Sequence, residues 1–435
     1  MICAVRNTRC IILAMLQFLV LVIICGCQSA ALTQDTAGAA IAKADALADS
    51  TTPRDVLLKM DQPLRAFALV GKMAHEQKFR SQEVTQYSAF LGRDAWTREM
   101  ANTSSRTFTP DKNVLVADLL AVNAIQEIVA ASQSYRVVIL NETHDSQRQR
   151  TFAHLLAKAL KESGFSHLGV EAIKSGAALD IKKHGPTLKS GFYTADPVFA
   201  DFLRQATAMG YAVFDYEQRP EQEKMVSSDP VALLRAREED QAKNIMQVLD
   251  AHPESKVFLY VGGGHGAKVL ANQNRIMMAR HLMALMEADV LSINQGAGTP
   301  QSQPMFDTPI YQAVTSALLS DETTVFRKKD DKWLRFPGYD MVVFHPRVPE
   351  IHGRGAWMTM KGYRKLHGIK IAPLPERTLV RARTLPLQTG GVAMDQVLIN
   401  PLETQAALFL PIGEYELFRE SETGVVEKIG SATVR

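Results

Sequence analysis

Between residues 116 and 350 the chain alternates short, unbroken apolar runs with longer amphipathic ones. Positions 137–140, in "RVVILN", are all apolar, the mark of a strand covered on both faces. Phe152, Leu155, Leu156, Ala159 and Leu160 then recur at intervals of three and four, which lays them along one helical face. Gly164 supplies a left-handed stop. "HLGVEA" predicts the next strand, so strand, helix and strand fit within 137–171, the size of one right-handed crossover unit. "GYAVFDYE" (210–217) predicts a third strand. "SSDPVALLRAREEDQAKNIMQVLDAHP" predicts a helix with Asp229 as N-cap and Pro230 in its first turn. "SKVFLYVGGGHGAK" predicts a strand running into a glycine-rich turn, and "QNRIMMARHLMALM" a further helix. "ADVLSI" and "YDMVVFHP" predict two more strands, and "VLVADLLAVNAIQEIVAAS" predicts an amphipathic helix ahead of the first. Such alternation implies an α/β domain over 116–350, a mainly parallel sheet flanked by helices.

The flanks read differently. Residues 53–115 carry few strand signals and predict a helical lead-in, which packs on the main domain or acts as a spacer; "ANTSSRTFTPDKN" is a loop near its end. Past residue 370 the helical pattern stops. "RTLVRARTLPL", "DQVLINP", "AALFLP", "EYELFRE" and "GVVEKIG" are short strands between turn residues, so 370–435 predicts a small antiparallel β-sandwich. At the other end, Arg6 and Arg9 precede the apolar run "IILAMLQFLVLVIIC", which is short for a membrane span and ends in small residues. "IICGCQS" resembles the lipobox of bacterial lipoproteins. That resemblance makes 1–26 a signal peptide and implies acylation of Cys27, with several acyl chains giving a stable anchor. Gln28, where an Asp would imply inner-membrane retention, favours the outer membrane facing the periplasm. Residues 27–52, small and polar, then form a tether.

All four cysteines (Cys3, Cys10, Cys25 and Cys27) fall in this leader. The body therefore has no disulfide, no thiol nucleophile and no cysteine metal site, and its chemistry must come from other side chains. Charge is nearly balanced, with 49 Lys+Arg against 46 Asp+Glu. Without Arg6 and Arg9 the formal +3 falls to +1, so nothing in the charge points to nucleic acid. The expected partners are the membrane, through Cys27, and a small-molecule or peptide substrate.

Parallel α/β sheets bind ligands beyond the carboxyl ends of their strands. The first strand delivers Asn141, Glu142, His144 and Asp145; the second, Glu171; the third, Asp215, Tyr216 and Glu217; the glycine-rich strand, His265. One histidine at a strand end is ordinarily structural, but several titratable groups at separate strand ends reverse that balance. On the helix after Pro230, Arg237 and Glu238 sit on or beside the apolar line of Ile245, Val248 and Leu249, which points them toward a polar pocket. A buried Arg needs carboxylate or substrate partners. "GGGHGAK" fits G-x-G-x-x-A, but after a late strand it reads better as a tight turn exposing His265 and backbone N–H groups. HExxH, GxSxG and CxxC are absent, against zincin, α/β-hydrolase and thioredoxin-like readings. "GFYTADP" and the remaining histidines, His154 among them, show no ligand-like spacing.

Together these motifs resemble the superfamily that groups ChaN-like haem-binding lipoproteins, erythromycin esterases and Tiki metalloproteases. Its pattern is Gly-Glu-x-His after the first strand, a Glu after the next, a helical Arg-Asp pair, and Gly-x-x-His after a late strand. "NETH" places Glu142 and His144 on the first motif, "GVEA" places Glu171 on the second, "RAREEDQAKN" places Arg237 and Glu238 on the third, and "GGGH" places Gly262 and His265 on the last. Glu238 replaces Asp, and Asn141 stands where the family has Gly; Asn tolerates left-handed backbone better than most residues.

The resemblance implies a site of Glu142, His144, Glu171, Arg237 and His265, and leaves several chemistries open. As a hydrolase of esters, lactones or amides, His144 or His265 is a general base, Glu171 orients the imidazole and Arg237 steadies the anionic intermediate. With a metal, His144, His265, Glu142 and Glu171 are the ligand candidates for Mn²⁺, Co²⁺ or Zn²⁺. As a haem- or iron-binding envelope lipoprotein, the axial candidates are Tyr216 and the two site histidines. A catalytically silent binding platform completes the set.

Overall fold

In the computed structural model every position of Val137–Glu142 (β1) is buried. Alternate side chains of this strand enter two different cores. Val138 and Leu140 pack with Phe152, Leu156 and Leu160, while Val137 and Ile139 pack with Ile245, Leu249 and Leu282. A strand covered on both faces has no polar side to offer, which is why its sequence is an unbroken apolar run. The structure describes residues 52–75, 81–102, 106–171, 173–223, 229–269, 276–319, 322–388 and 390–435. The signal peptide, Cys27 and nearly all of the tether lie outside these residues.

β1 belongs to a six-stranded sheet with Phe165–Val170 (β2), Ala212–Asp215 (β3), Lys256–Gly262 (β4), Leu291–Asn294 (β5) and Met341–Val342 (β6). The spatial order is β3-β2-β4-β1-β5-β6, and every pairing is parallel. The chain moves outward through β1, β2 and β3, returns to insert β4 between β1 and β2, and then builds β5 and β6 on the far side. Ligand groups gather at the carboxyl edge where such a reversal occurs. Register puts Glu142 beside Gly262 and Val170 beside Tyr260, so the residues that follow β1, β2 and β4 emerge together.

The helices that matter for the site are Gln147–Glu162 (α1), Pro197–Ala208 (α2), Pro230–Ala251 (α3) and Met278–Met286 (α4). Ser146, Asp196 and Asp229 cap the first three, their side chains accepting backbone N–H bonds from the opening turn. Asp229 and Pro230 act as the sequence predicts. The long helix expected ahead of β1 is instead three elements. Val116–Asp118 is a single 3-10 turn, Leu119–Asn123 is a strand paired antiparallel with Thr324–Lys328, and only Ala124–Ser132 is α-helical. Asn123 is the reason: its side chain accepts from the Gln126 backbone N–H and starts the helix there. Among the described residues no helix is long and apolar enough to cross a membrane.

The C-terminal strands are Lys365–Lys370 (β7), Thr378–Thr384 (β8), Asp395–Ile399 (β9), Gln405–Leu410 (β10), Gly413–Ser421 (β11) and Val426–Val434 (β12). They form a four-stranded antiparallel sheet, β9-β8-β11-β12, and a β7-β10 pair. A shared core of Ile369, Val380, Val397, Leu408 and Tyr415 lies among them. The N-terminal helices dock on these strands: Val56, Leu64, Phe67 and Phe90 are buried with Leu379 and Leu398.

Candidate functional site

The turn after β1 builds the first half of the site. His144 has φ 68°, in the left-handed region where His is one of the better-tolerated residues. That bend aims its carbonyl at Arg150, whose Nη2 donates to it at 2.7 Å. The same bend sets the His144 ring beside its neighbour, with Nδ1 2.9 Å from Glu142 Oε1. Arg150, one turn into α1, donates from Nε to Glu142 Oε2 at 2.9 Å, and the Tyr260 hydroxyl from β4 donates to the same oxygen at 2.9 Å. Arg150 Nη1 also lies 3.0 Å from Asp196, the cap of α2. Burial pushes the Glu142 carboxyl up, but Arg150 and His144 outweigh it and hold it at about 2. Burial, with the Glu142 charge, keeps the Tyr260 hydroxyl protonated. The other face of the His144 ring stacks on Tyr193, with centroids 4.3 Å apart and planes within 4°.

The second half comes from β2, β4 and α3. His265 Nδ1 sits 2.7 Å from Glu238 Oε1, and the other Glu238 oxygen accepts the Met278 backbone N–H that opens α4, at 2.6 Å. His265 Nε2 is bracketed by Arg237 Nη1 at 3.2 Å and Glu171 Oε1 at 3.3 Å. A neutral imidazole accepts from the arginine there, and an imidazolium donates to the glutamate. Burial alone would push the His265 imidazole down, but Glu238 and Glu171 outweigh it and hold the proton above the ordinary imidazole range. Arg237 grips Glu217 through Nε at 2.9 Å and through Nη2, and Nη2 also donates to Glu171 Oε1 at 2.8 Å. Burial raises the Glu171 carboxyl, yet His265, His144 and Arg237 bring it below its usual value.

Gly262 joins the halves. Its N–H donates to Glu171 Oε2 at 2.6 Å, and a Cβ placed there would lie 2.0 Å from His144 Cε1. The glycine of "GGGH" is thus required by the histidine of "NETH". All five sequence-predicted residues, Glu142, His144, Glu171, Arg237 and His265, meet at one edge of the sheet, with Glu238 behind them. Side-chain exposures of 31% for Arg237, 17% for His144 and 12% for His265 leave part of each side chain accessible.

Several sequence expectations change. Glu171 is not what orients an imidazole through Nδ1; Glu142 does this for His144 and Glu238 for His265. Glu171 meets His265 at Nε2 instead, 3.3 Å away, while also holding the Gly262 N–H and Arg237. Asn141 is not left-handed; that conformation falls on His144. The Asn141 side chain instead donates to the Gly263 carbonyl and accepts the Gln295 N–H, tying β1 to the turns beside it. Tyr216 is fully buried, its hydroxyl 3.4 Å from the Tyr260 carbonyl, so it presents nothing to a haem. Sequence reasoning passed over Arg150, Tyr260 and Tyr193. "GFYTADP", which shows no ligand-like spacing, supplies both Tyr193 and Asp196. His154 packs: it is buried, with Tyr363 at 5.1 Å between ring centroids.

The donor set does not fit a metal. Among the described residues no group of three or more His, Asp or Glu side chains is arranged to hold one. Each imidazole has Nδ1 engaged by a carboxylate, and the Arg237 guanidinium stands between Glu171, Glu217 and His265, where a cation would have to sit.

Neither a protein-family model nor a curated protein sequence matches the chain. Solved structures that align with part of the chain include the type III effector HopBA1, at TM-score 0.31 and 15% identity, covering 56% of this chain and 99% of that one. They also include ChaN of Campylobacter jejuni, solved with cofacial haem, at TM-score 0.31 and 11% identity, covering 42% and 89%. A third is RRSP, a MARTX toxin effector domain from Vibrio vulnificus CMCP6, at TM-score 0.31 and 14% identity, covering 49% and 44%. Likeness at this level says nothing about what the present chain binds or does.

Proposed function

We propose that this chain is a hydrolase of ester, lactone or amide bonds that works by paired general acid–base catalysis. The observation that carries the reading is the presence of two imidazoles, each with Nδ1 held by a buried glutamate, at one accessible sheet edge. Glu142 takes up the Nδ1–H of neutral His144 and leaves the Nε2 lone pair for a water proton. Among the described residues the Nε2 atom has no hydrogen-bond partner that would compete. As water oxygen bonds to the carbonyl carbon, its proton passes to His144 and negative charge gathers on the carbonyl oxygen. Arg237 Nη1 and protonated His265 are the donors for that oxyanion. Collapse of the intermediate breaks the bond to the leaving group, which takes a proton from an imidazolium. His265, whose proton Glu238 and Glu171 retain, is suited to donate, and His144, with Nδ1 turned to Glu142, to accept through Nε2. Stacking on Tyr193 and the Arg150 clamp on Glu142 hold the base in place.

The test is a panel of chromogenic esters, lactones and amides offered to the purified mature protein. For whichever bond is cleaved, His144→Ala is expected to lower kcat/KM by about 10²–10⁴-fold with the far-UV spectrum unchanged. Full turnover in His144→Ala, or no cleavage of any of the three bond classes, contradicts the proposal. The same reading has the body anchored through acylated Cys27 at the outer membrane, facing the periplasm, a position suggested by "IICGCQS". Mass spectrometry of the mature N-terminus decides it: an unmodified cysteine rules the anchor out.

A further inference from the structure

Arg148 lies in the first turn of α1, two residues from Arg150 and so on the opposite side of the helix. It is 4% exposed. Arg150 answers Glu142 and Asp196, whereas among the described residues the Arg148 side chain donates only to the carbonyl of Pro346. Among the described residues no carboxylate forms an ion pair with it. Two acidic groups nearby are tied up elsewhere: Asp94 lies against Arg98, and Asp307 holds Arg347 through bonds of 2.8 and 2.9 Å. Burial, with Arg98 close by, pushes the Arg148 guanidinium down to about 9. A buried cation left with one carbonyl is costly, and the positive end of the α1 dipole adds to that cost. Such an arrangement calls for an anion from outside the chain.

There is room for one. Two cavities of about 260 Å³ each meet at Arg148 and share Val348 and Trp357 as further walls. The first is lined on its apolar side by Phe152, Leu155 and Pro349. The second holds Arg98, Arg347, Gln301 and Ser302, with Glu99 and Glu350 also on its wall. Arg148 stands on the wall of both spaces. We propose that the paired cavity binds a small organic oxyanion, a carboxylate or phosphate group paired with Arg148 while its body rests against Trp357 and Phe152. The site faces away from the His144–Glu142 pair and stands independently of the hydrolase reading.

Calorimetric titration of the mature protein with inorganic phosphate, and separately with butyrate, at constant ionic strength set by chloride, tests this. A saturable heat with either probe is expected, and which probe binds distinguishes phosphate from carboxylate recognition. Arg148→Gln is expected to abolish it. Should that variant fail to fold, Gln303→Glu decides: the residue is an exposed part of the second cavity's wall, and an added negative charge there is expected to weaken binding by roughly 3- to 10-fold. The absence of saturable heat with both probes overturns the proposal. So does an unchanged affinity in a folded Arg148→Gln or in Gln303→Glu.

Discussion

His144 and Gly262 show how closely the site is fitted at the scale of single residues. The ring occupies the space that a side chain at 262 would need, with 2.0 Å left between a Cβ and Cε1. Gly262→Ala is therefore expected to swing the imidazole off Glu142 while β4 stays paired. A displacement of that size in a catalytic group costs about 10²-fold in rate, with little change in the far-UV spectrum. Wild-type kcat/KM in folded Gly262→Ala would show that His144 is not held as described. Residue identity made some of this legible. Glu142, His144, Glu171 and His265 stand at strand ends, where polarity interrupts an apolar run. Arg150 was less visible, because one turn into an amphipathic helix an arginine ordinarily faces solvent. Tyr193 was invisible, since its partner lies on another element and its loop has no period.

At the scale of elements, strand and helix periods carried the parallel sheet, because a doubly covered strand must be apolar throughout and its crossover helices must not. The docking of the N-terminal helices on the C-terminal sheet had no such signature. It rests on Glu420 of β11, which accepts the backbone N–H groups of Leu64 and Arg65 at 2.9 and 3.1 Å. That caps the helix Pro63–His75 from a distant part of the chain. Burial raises the Glu420 carboxyl to about 7 despite Arg381 nearby. The folded state thus keeps a proton that the unfolded chain has released above about 4.5. This group favours folding below that pH, and the contribution is lost as pH rises through about 7. Glu420→Gln retains an acceptor for both N–H groups without titrating. It is expected to raise the melting temperature at pH 7 and to flatten its decline between pH 4.5 and 7, by on the order of 3 kcal/mol at most. Equal pH slopes in variant and wild type would remove Glu420 as the cause.

For the whole molecule, the site collects side chains from β1, β2, β4, α1, α3 and the loops around them, so that no single segment contains it. Five carboxylates (Glu142, Glu171, Glu217, Glu238 and Asp196) face two guanidiniums, Arg150 and Arg237. That excess favours the imidazolium of His265, the proton the site holds. It also explains why a metal set looked plausible from sequence: spacing along the chain brought histidines and carboxylates together but could not show Arg237 lying among them. The most direct measurement is a double-mutant comparison of kcat/KM on a cleaved substrate, using His144→Ala, His265→Ala and the two combined. Residues that act as a unit are not additive. Each single variant is expected to lose about 10²–10⁴-fold and the double variant little more than the worse single. Losses that multiply, or a single variant that turns over at the wild-type rate, would contradict a shared acid–base site.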